Sequence, residues 1–176
     1  MTTAHQESLE HRAFIAVGSN LHDPLQQLDN AIKALREHQS ITPVAMSKIY
    51  LSKPHGVVNQ ADFFNAVVEV KTTLSPDALL DVLHNIEAQQ GRVRKTVRWG
   101  PRTLDLDIIL YDDIVMTTPT LTIPHPRAHE REFVMQPLSD LDNTLEVPNY
   151  GKVAELIKAL PLKNLTEIRH GITYHH

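Results

Sequence analysis

The chain has 176 residues, 41% of them hydrophobic and 22% charged, so it is long enough to bury a core and is composed like a globular protein. Its formal net charge of -4 argues against a generic binder of nucleic acid or anionic membrane. It holds no cysteine, which excludes disulfides, zinc-thiolate sites and cysteine nucleophiles and fits a reducing cytoplasm.

The N-terminus, MTTAHQESLEHR, is polar and lacks the apolar centre of a secretion signal. No apolar run approaches the roughly 18 residues of a membrane span. Residues 1–11 are predicted as a polar tail, 12–170 as one domain and 171–176 as a short C-terminal tail. AFIAVGSNL reads as a first strand ending at Gly18. Asp23-Pro24 then supplies an N-cap and a proline at the first helical position. Leu25, Leu28, Ile32 and Leu35 follow at helical spacing, so that helix covers a core with one face. Pro43 interrupts the next extended stretch, placing a second strand at Val44 to Tyr50.

After a loop with Pro54 and Gly56, FFNAVVEVKT reads as a third strand. Ser75-Pro76 opens a second helix through about Gln90, with Leu79, Leu83 and Ile86 as its buried stripe and Glu87 at the margin. Gly91 is a plausible stop. A basic loop leads into LDLDIIL, a fourth strand. Beyond Tyr111, DDIV and TLTI suggest an edge hairpin, Arg131 to Leu138 and Lys152 to Leu160 read as helical, and LTEIRH returns as a strand. The expected class is α+β: a ferredoxin-like βαββαβ sandwich with additional C-terminal helices and an edge hairpin.

The basic loop holds Arg92, Arg94, Lys95, Arg98 and Arg102, five of the 17 basic residues, with no acid among them. Directly after it, the strand period of two puts Asp105, Asp107 and Ile109 on one face and Leu104, Leu106, Ile108 and Leu110 on the other. A bare Asp-x-Asp is equally read as acids on a solvated sheet face, and a basic run as a solvated loop. Together they fit an anionic ligand whose phosphates the arginines hold, bridged to the aspartates by divalent cations. Two magnesium ions fit between convergent carboxylates. In the third strand Phe63, Asn65 and Val67 share a face opposite Phe64, Ala66, Val68 and Val70. A phenyl ring and an amide two positions apart could grip a flat polar heterocycle, or belong to an ordinary core beside a turn. No GxxxxGK[ST], GxGxxG after a strand, HRD or DFG occurs, so any nucleotide phosphates are held without a P-loop.

WGPRTLDLDIIL closely resembles the signature of the 6-hydroxymethyl-7,8-dihydropterin pyrophosphokinases of folate biosynthesis. The resemblance extends through GSN (18–20), FFNAVVEV (63–70), IEAQQGRVR (86–94) and IPHPRAHEREFVMQPL (123–138). It implies magnesium-dependent transfer of the β,γ-pyrophosphoryl group of ATP to the pterin hydroxymethyl group, yielding AMP and the pterin diphosphate. It implies Asp105 and Asp107 as ligands of two magnesium ions and Arg92 and Arg102 as catalytic arginines. Ser52, His55, Phe63, Asn65 and Phe133 fall on pterin contacts, and Glu87, Arg94, Trp99, Ile108, Thr122, His125 and Arg131 on ATP contacts. Phe63 stands where many relatives carry tyrosine, which keeps the ring packing and drops a hydroxyl contact. His55 stands where an apolar residue is frequent.

A ferredoxin-like RNA-binding module would need an RNP-type aromatic cluster and a broader positive surface, and neither is present. A nucleotidyltransferase with a Gly-Ser element and Asp-x-Asp would need Gly18-Ser19 and Asp105 in a different arrangement. The expected partners are ATP and the pterin, without nucleic acid or membrane, for a cytoplasmic monomer.

Overall fold

In the computed structural model, residues 9–20, 23–52, 63–91, 104–161 and 165–175 are described. Strand β1 (His11–Ser19) alternates two cores. Ala13, Ile15 and Val17 enter one, and Phe14 enters the other with Ala16 packed against it. Helix α1 (Pro24–Glu37) buries Leu28, Ile32 and Leu35 of the stripe read from the sequence, together with Ala31, while Leu25 packs partly buried against the core. The expected side-chain cap at Asp23 is not made. Asp23 has φ 58° and ψ 61°, not the extended geometry that aims a cap at the first turn, and only its carbonyl accepts, from the Gln27 amide at 3.1 Å.

The predicted second strand is two: β2 (Ile41–Met46) and β3 (Ile49–Ser52). The break falls at Ser47, not at Pro43. Ser47 is 2% exposed; its amide donates to the Val67 carbonyl at 2.8 Å and its hydroxyl accepts the Val67 amide at 2.9 Å. The hydroxyl thus replaces a backbone acceptor and lets the chain bend within the ladder. Pro43 stays in β2 at a register shift, where a missing amide is tolerated. Strand β4 (Phe63–Thr72) sends Phe64, Ala66, Val68 and Val70 into the first core and Val67 into the second. Helix α2 (Pro76–Gly91) has a true cap: the Ser75 hydroxyl accepts the Ala78 amide at 3.2 Å.

Strand β5 (Leu104–Tyr111) departs from strict alternation. Phe14 pairs with Leu110 but Ile15 with Ile108, so a bulge leaves Ile109 without a partner in the register. Ile109 and Leu110 therefore both enter the second core, while Tyr111 joins the first and donates its hydroxyl to the Leu74 carbonyl at 2.6 Å. Leu110 does not share the face of Leu104, Leu106 and Ile108 as expected. Next, Asp112 turns the chain at φ 49°, and its carboxylate accepts from the Arg12 amide at 2.9 Å and meets His11 Nδ1 at 2.7 Å. That turn displaces the hairpin along the chain to β6 (Met116–Thr117) and β7 (Thr122–Ile123).

A 3-10 turn at Ala128–Glu130 precedes α3 (Glu132–Leu141), followed by the hairpin β8 (Glu146–Val147) and β9 (Gly151–Lys152). The helix expected at Lys152 to Leu160 is one α turn, α4 (Val153–Leu156), and a 3-10 turn at Ile157–Ala159. Then β10 (Leu165–Arg169) pairs with β3, and β11 (Ile172–Thr173) pairs with β2. The stretch 171–176, expected as a tail, thus carries a strand, and the Tyr174 amide donates to the Val44 carbonyl at 2.9 Å.

The result is an α+β architecture around an antiparallel sheet ordered β10-β3-β4-β1-β5, with β2 also paired to β4. Helices α1 and α2 cover one face, and α3 and α4 cover the other.

Candidate active site

Registers across the sheet bring the site together. On the α3 side, Asn65 of β4, Gly18 of β1 and Asp105 of β5 lie on one line, and Val67, Ala16 and Asp107 on the next. Neighbouring strands stand about 4.8 Å apart, so Asn65 and Asp105 are separated by roughly 10 Å across a strand whose only side chain there is a hydrogen. A cavity of about 340 Å³ opens over this floor. Ser52, Phe63 and Asn65 line one side of it and Asp105, Asp107 and Ile109 the other; His125, Arg131, Glu132, Phe133 and Val134 complete the wall.

The Asn65 amide is 8% exposed and oriented by its neighbour, since its Nδ2 donates to the Ser52 hydroxyl at 2.9 Å. Its carbonyl oxygen and second N–H, for which no bond to another described side chain is seen, suit a ligand edge. Phe133 sits in the first turn of α3, and the Arg131 guanidinium lies 5.7 Å from its ring centre. His125 is half-buried, with its amide on the Ile109 carbonyl at 3.1 Å and its Nδ1 accepting the Arg127 amide at 3.3 Å. Burial holds this imidazole below its usual 6.5, opposed by Asp107 and helped by Arg131 and Arg127. A neutral ring whose Nδ1 accepts carries its proton on Nε2, ready to donate.

Glu87 stands beside the carboxylate pair, not in the cavity wall. Its carboxylate accepts the Leu106 amide at 2.7 Å. Burial raises its pKa above the ordinary 4.5; that hydrogen bond and His84 oppose the rise, and Asp105 and Asp107 add to it.

The structure therefore gathers Ser52, Phe63, Asn65, Asp105, Asp107, His125, Arg131 and Phe133 around one space. It does not bring the Ile108 side chain there. Ile108 is 2% exposed in the core under α1 and α2, and the isoleucine of the cavity is Ile109. Thr122 lies in β7, outside the cavity lining. His55, Arg92, Arg94, Trp99 and Arg102 lie outside the described residues. Gly18, Ala16 and Glu132 belong to the lining without having been singled out in the sequence. For the first two the signal is register: they sit opposite Asn65 and Asp107.

Among the described residues no three histidine or acidic side chains converge as a complete metal cage. Two carboxylates on one strand face still suit magnesium, which takes one or two from protein and completes its shell with water and phosphate oxygens.

Residues 14–143 match the family model of 7,8-dihydro-6-hydroxymethylpterin-pyrophosphokinase. The chain is 48% identical over 146 residues to a 2-amino-4-hydroxy-6-hydroxymethyldihydropteridine pyrophosphokinase of Haemophilus influenzae, covering 83% of this chain and 91% of that one. It is 41% identical to the like-named protein of Pseudomonas aeruginosa, covering 89% of this chain and 96% of the other. A solved structure of Plasmodium falciparum HPPK-DHPS superimposes with a TM-score of 0.72 at 14% identity over 92% of this chain. The present chain spans 46% of that longer one, and the likeness concerns the fold.

Proposed function

The chain belongs to the 7,8-dihydro-6-hydroxymethylpterin-pyrophosphokinase family, and on that footing we propose that the cavity over β1 is where both substrates meet. The enzyme transfers a pyrophosphoryl group to the hydroxymethyl group of 6-hydroxymethyl-7,8-dihydropterin in folate biosynthesis, with ATP as co-substrate. The observation that carries the site reading is the line Asn65–Gly18–Asp105. It sets an amide suited to a heterocycle edge at one end and the carboxylate pair at the other.

In this reading Asn65, fixed by Ser52, hydrogen-bonds the pterin edge while Phe63 and Phe133 pack its faces. His55 belongs to the same pterin set. The hydroxymethyl oxygen attacks the β-phosphorus and loses its proton to solvent, the bond from that phosphorus to the α,β-bridging oxygen breaks, and AMP leaves with that oxygen. Asp105 and Asp107 would hold two magnesium ions, which supply the positive charge that lets a polyphosphate approach carboxylates. Arg131 and the Nε2–H of His125 bind phosphate oxygens. Arg92, Arg94 and Arg102 add charge, with Arg92 and Arg102 serving the transfer itself. Glu87, Trp99, Thr122 and the Ile108 backbone complete the nucleotide contacts. Transfers of this type depend on positioning and electrostatics, so the reading asks no strong base of the cavity.

We also read the architecture as ferredoxin-like, with C-terminal helices and the β6–β7 edge hairpin added. The order β5-β1-β4 followed by β2 and β3 supports that reading. We place the enzyme in the cytoplasm as a monomer without nucleic-acid or membrane partners, which its net charge of -4 and lack of cysteine favour.

The test is AMP formation from ATP with and without the pterin, in the wild type and in Asn65→Ala. The variant should raise the pterin KM by about tenfold or more and leave the ATP KM nearly unchanged. An unchanged pterin KM would show that the edge is read elsewhere.

A further inference from the structure

Along β1 the side chains facing α3 shrink in sequence, from Phe14 to Ala16 to Gly18. Nothing in the backbone asks for the last step. Among the described glycines only Gly151 has a positive φ, so Gly18 is ordinary strand that any residue could adopt. Glycine inside a strand loses side-chain packing and adds entropy to the unfolded chain, and where it persists it often marks a close approach. Here the close approach is to β4: a Cβ built on Gly18 would lie 2.7 Å from Asn65 Oδ1 and 3.7 Å from Phe63 Cδ1.

We propose that Gly18 is a positioning residue for pterin recognition: its missing side chain is the clearance in which the Asn65 amide lies across β1. The proposal rests on the pterin reading of the cavity. A methyl group at Gly18 forces the amide to swing away. Asn65 is 8% exposed and tied to Ser52 at 2.9 Å, so swinging breaks that bond and withdraws Oδ1 from the ligand edge. Asp105 is the register partner of Gly18 on the other side, yet the three atoms nearest the added carbon belong to Asn65, Phe63 and Phe64 of β4 and none to a β5 carboxylate. Gly18 thus acts through Asn65 and selectively on the heterocycle half of the site.

The experiment is a double-mutant cycle on the full chain with Gly18→Ala, Asn65→Ala and the pair, read as pterin KM, ATP KM and Tm. Gly18→Ala should raise the pterin KM about tenfold, leave the ATP KM within about twofold, and add little to Asn65→Ala. An unchanged pterin KM, or an effect that adds in full to that of Asn65→Ala, overturns the proposal. If Gly18→Ala lowers Tm too far for kinetics, Gly18→Ala combined with Asn65→Ser provides the check. Recovery of Tm supports the clearance, because the shorter side chain removes the clash, and failure to recover overturns it. A silent Asn65→Ala defeats the pterin reading itself; a strong Asn65→Ala beside a silent Gly18→Ala defeats only the role of Gly18.

Discussion

The Glu87 carboxylate on α2 holds the Leu106 amide of β5 at 2.7 Å. Leu106 lies between the two aspartates of the site, and β5 ends the sheet among the described residues, so this amide faces away from β1 with no described strand to receive it. The helix therefore fixes the strand segment that aims Asp105 and Asp107.

Glu87→Gln keeps an acceptor for that amide and should leave stability within about 0.5 kcal/mol, whereas Glu87→Ala should cost about 1 kcal/mol in urea unfolding. The pH dependence has a definite sign. Because the folded carboxyl titrates above the ordinary 4.5, the folded protein binds the proton more tightly than the unfolded chain. This contribution to stability is present below 4.5 and declines as pH rises through the raised value. Glu87→Gln should lack that decline. Identical pH profiles for the two proteins would show that burial of this carboxylate has no energetic consequence.

Asp105→Asn and Asp107→Asn should each lower magnesium-dependent AMP formation by more than about a hundredfold. Asp105 is exposed and Asp107 partly so, hence neither change should lower Tm appreciably. Loss of activity together with loss of folding would point to a structural role instead.

What the sequence disclosed and what it hid separate along physical lines. Alternation in FFNAVVEV placed Phe63 and Asn65 opposite a core face, and the structure puts both in the cavity lining, because β4 is interior to the sheet and each face is fully specified. The α1 stripe at Leu28, Ile32 and Leu35 was legible for the same reason. Leu110 was not, since a bulge depends on how β1 pairs with β5 and leaves no mark in residue type. Ser47 breaking a strand by side-chain substitution for a carbonyl is equally silent, as are the two-residue strands β8, β9 and β11. Gly18 became a site residue only when the register set it beside Asn65.

Ser52→Ala should act on the pterin through Asn65. Removing the hydroxyl frees the Asn65 amide to rotate, so the pterin KM should rise by about three- to tenfold, less than in Asn65→Ala. Ser52→Thr retains an acceptor and should restore most of the loss. Kinetic titration against pterin at saturating ATP measures both, and equal losses for the alanine and threonine variants would mean that the hydroxyl does not orient the amide.

His125 should titrate below 6.5 in the ligand-free enzyme, so it is neutral at pH 7. Asp107 is the carboxylate that favours its charged form, and Arg131 opposes that form. Asp107→Asn should therefore lower the pKa further and Arg131→Ala should raise it. Following the imidazole protons by NMR against pH tests both signs; shifts of the same sign in the two variants would exclude this electrostatic assignment.

At the far end of α3 from Phe133, Asp142 ties the helix to β1. Its carboxylate accepts from the Thr144 hydroxyl at 2.5 Å and amide at 2.9 Å, and from Arg12 Nη2 at 3.0 Å, while Arg12 Nε donates to Glu69 at 2.8 Å. The Thr144 bonds first, and Arg12 after them, hold this carboxyl below its usual 3.8 against the opposing effect of burial. The unfolded chain then takes up the proton more readily than the folded protein. The stabilisation is complete above the ordinary carboxylate range and is lost as pH falls through the lowered value. Asp142→Asn should cost about 1 kcal/mol at pH 7 and lose less on acidification, so the Tm curves of variant and wild type should converge as pH falls through the lowered value. Curves that stay parallel from pH 7 to the acid limit would remove Asp142 from the acid sensitivity of the fold. Because the same helix presents Phe133 to the cavity, the pterin KM of this variant should also rise, by about twofold to fivefold, if the anchoring of α3 is felt along its length.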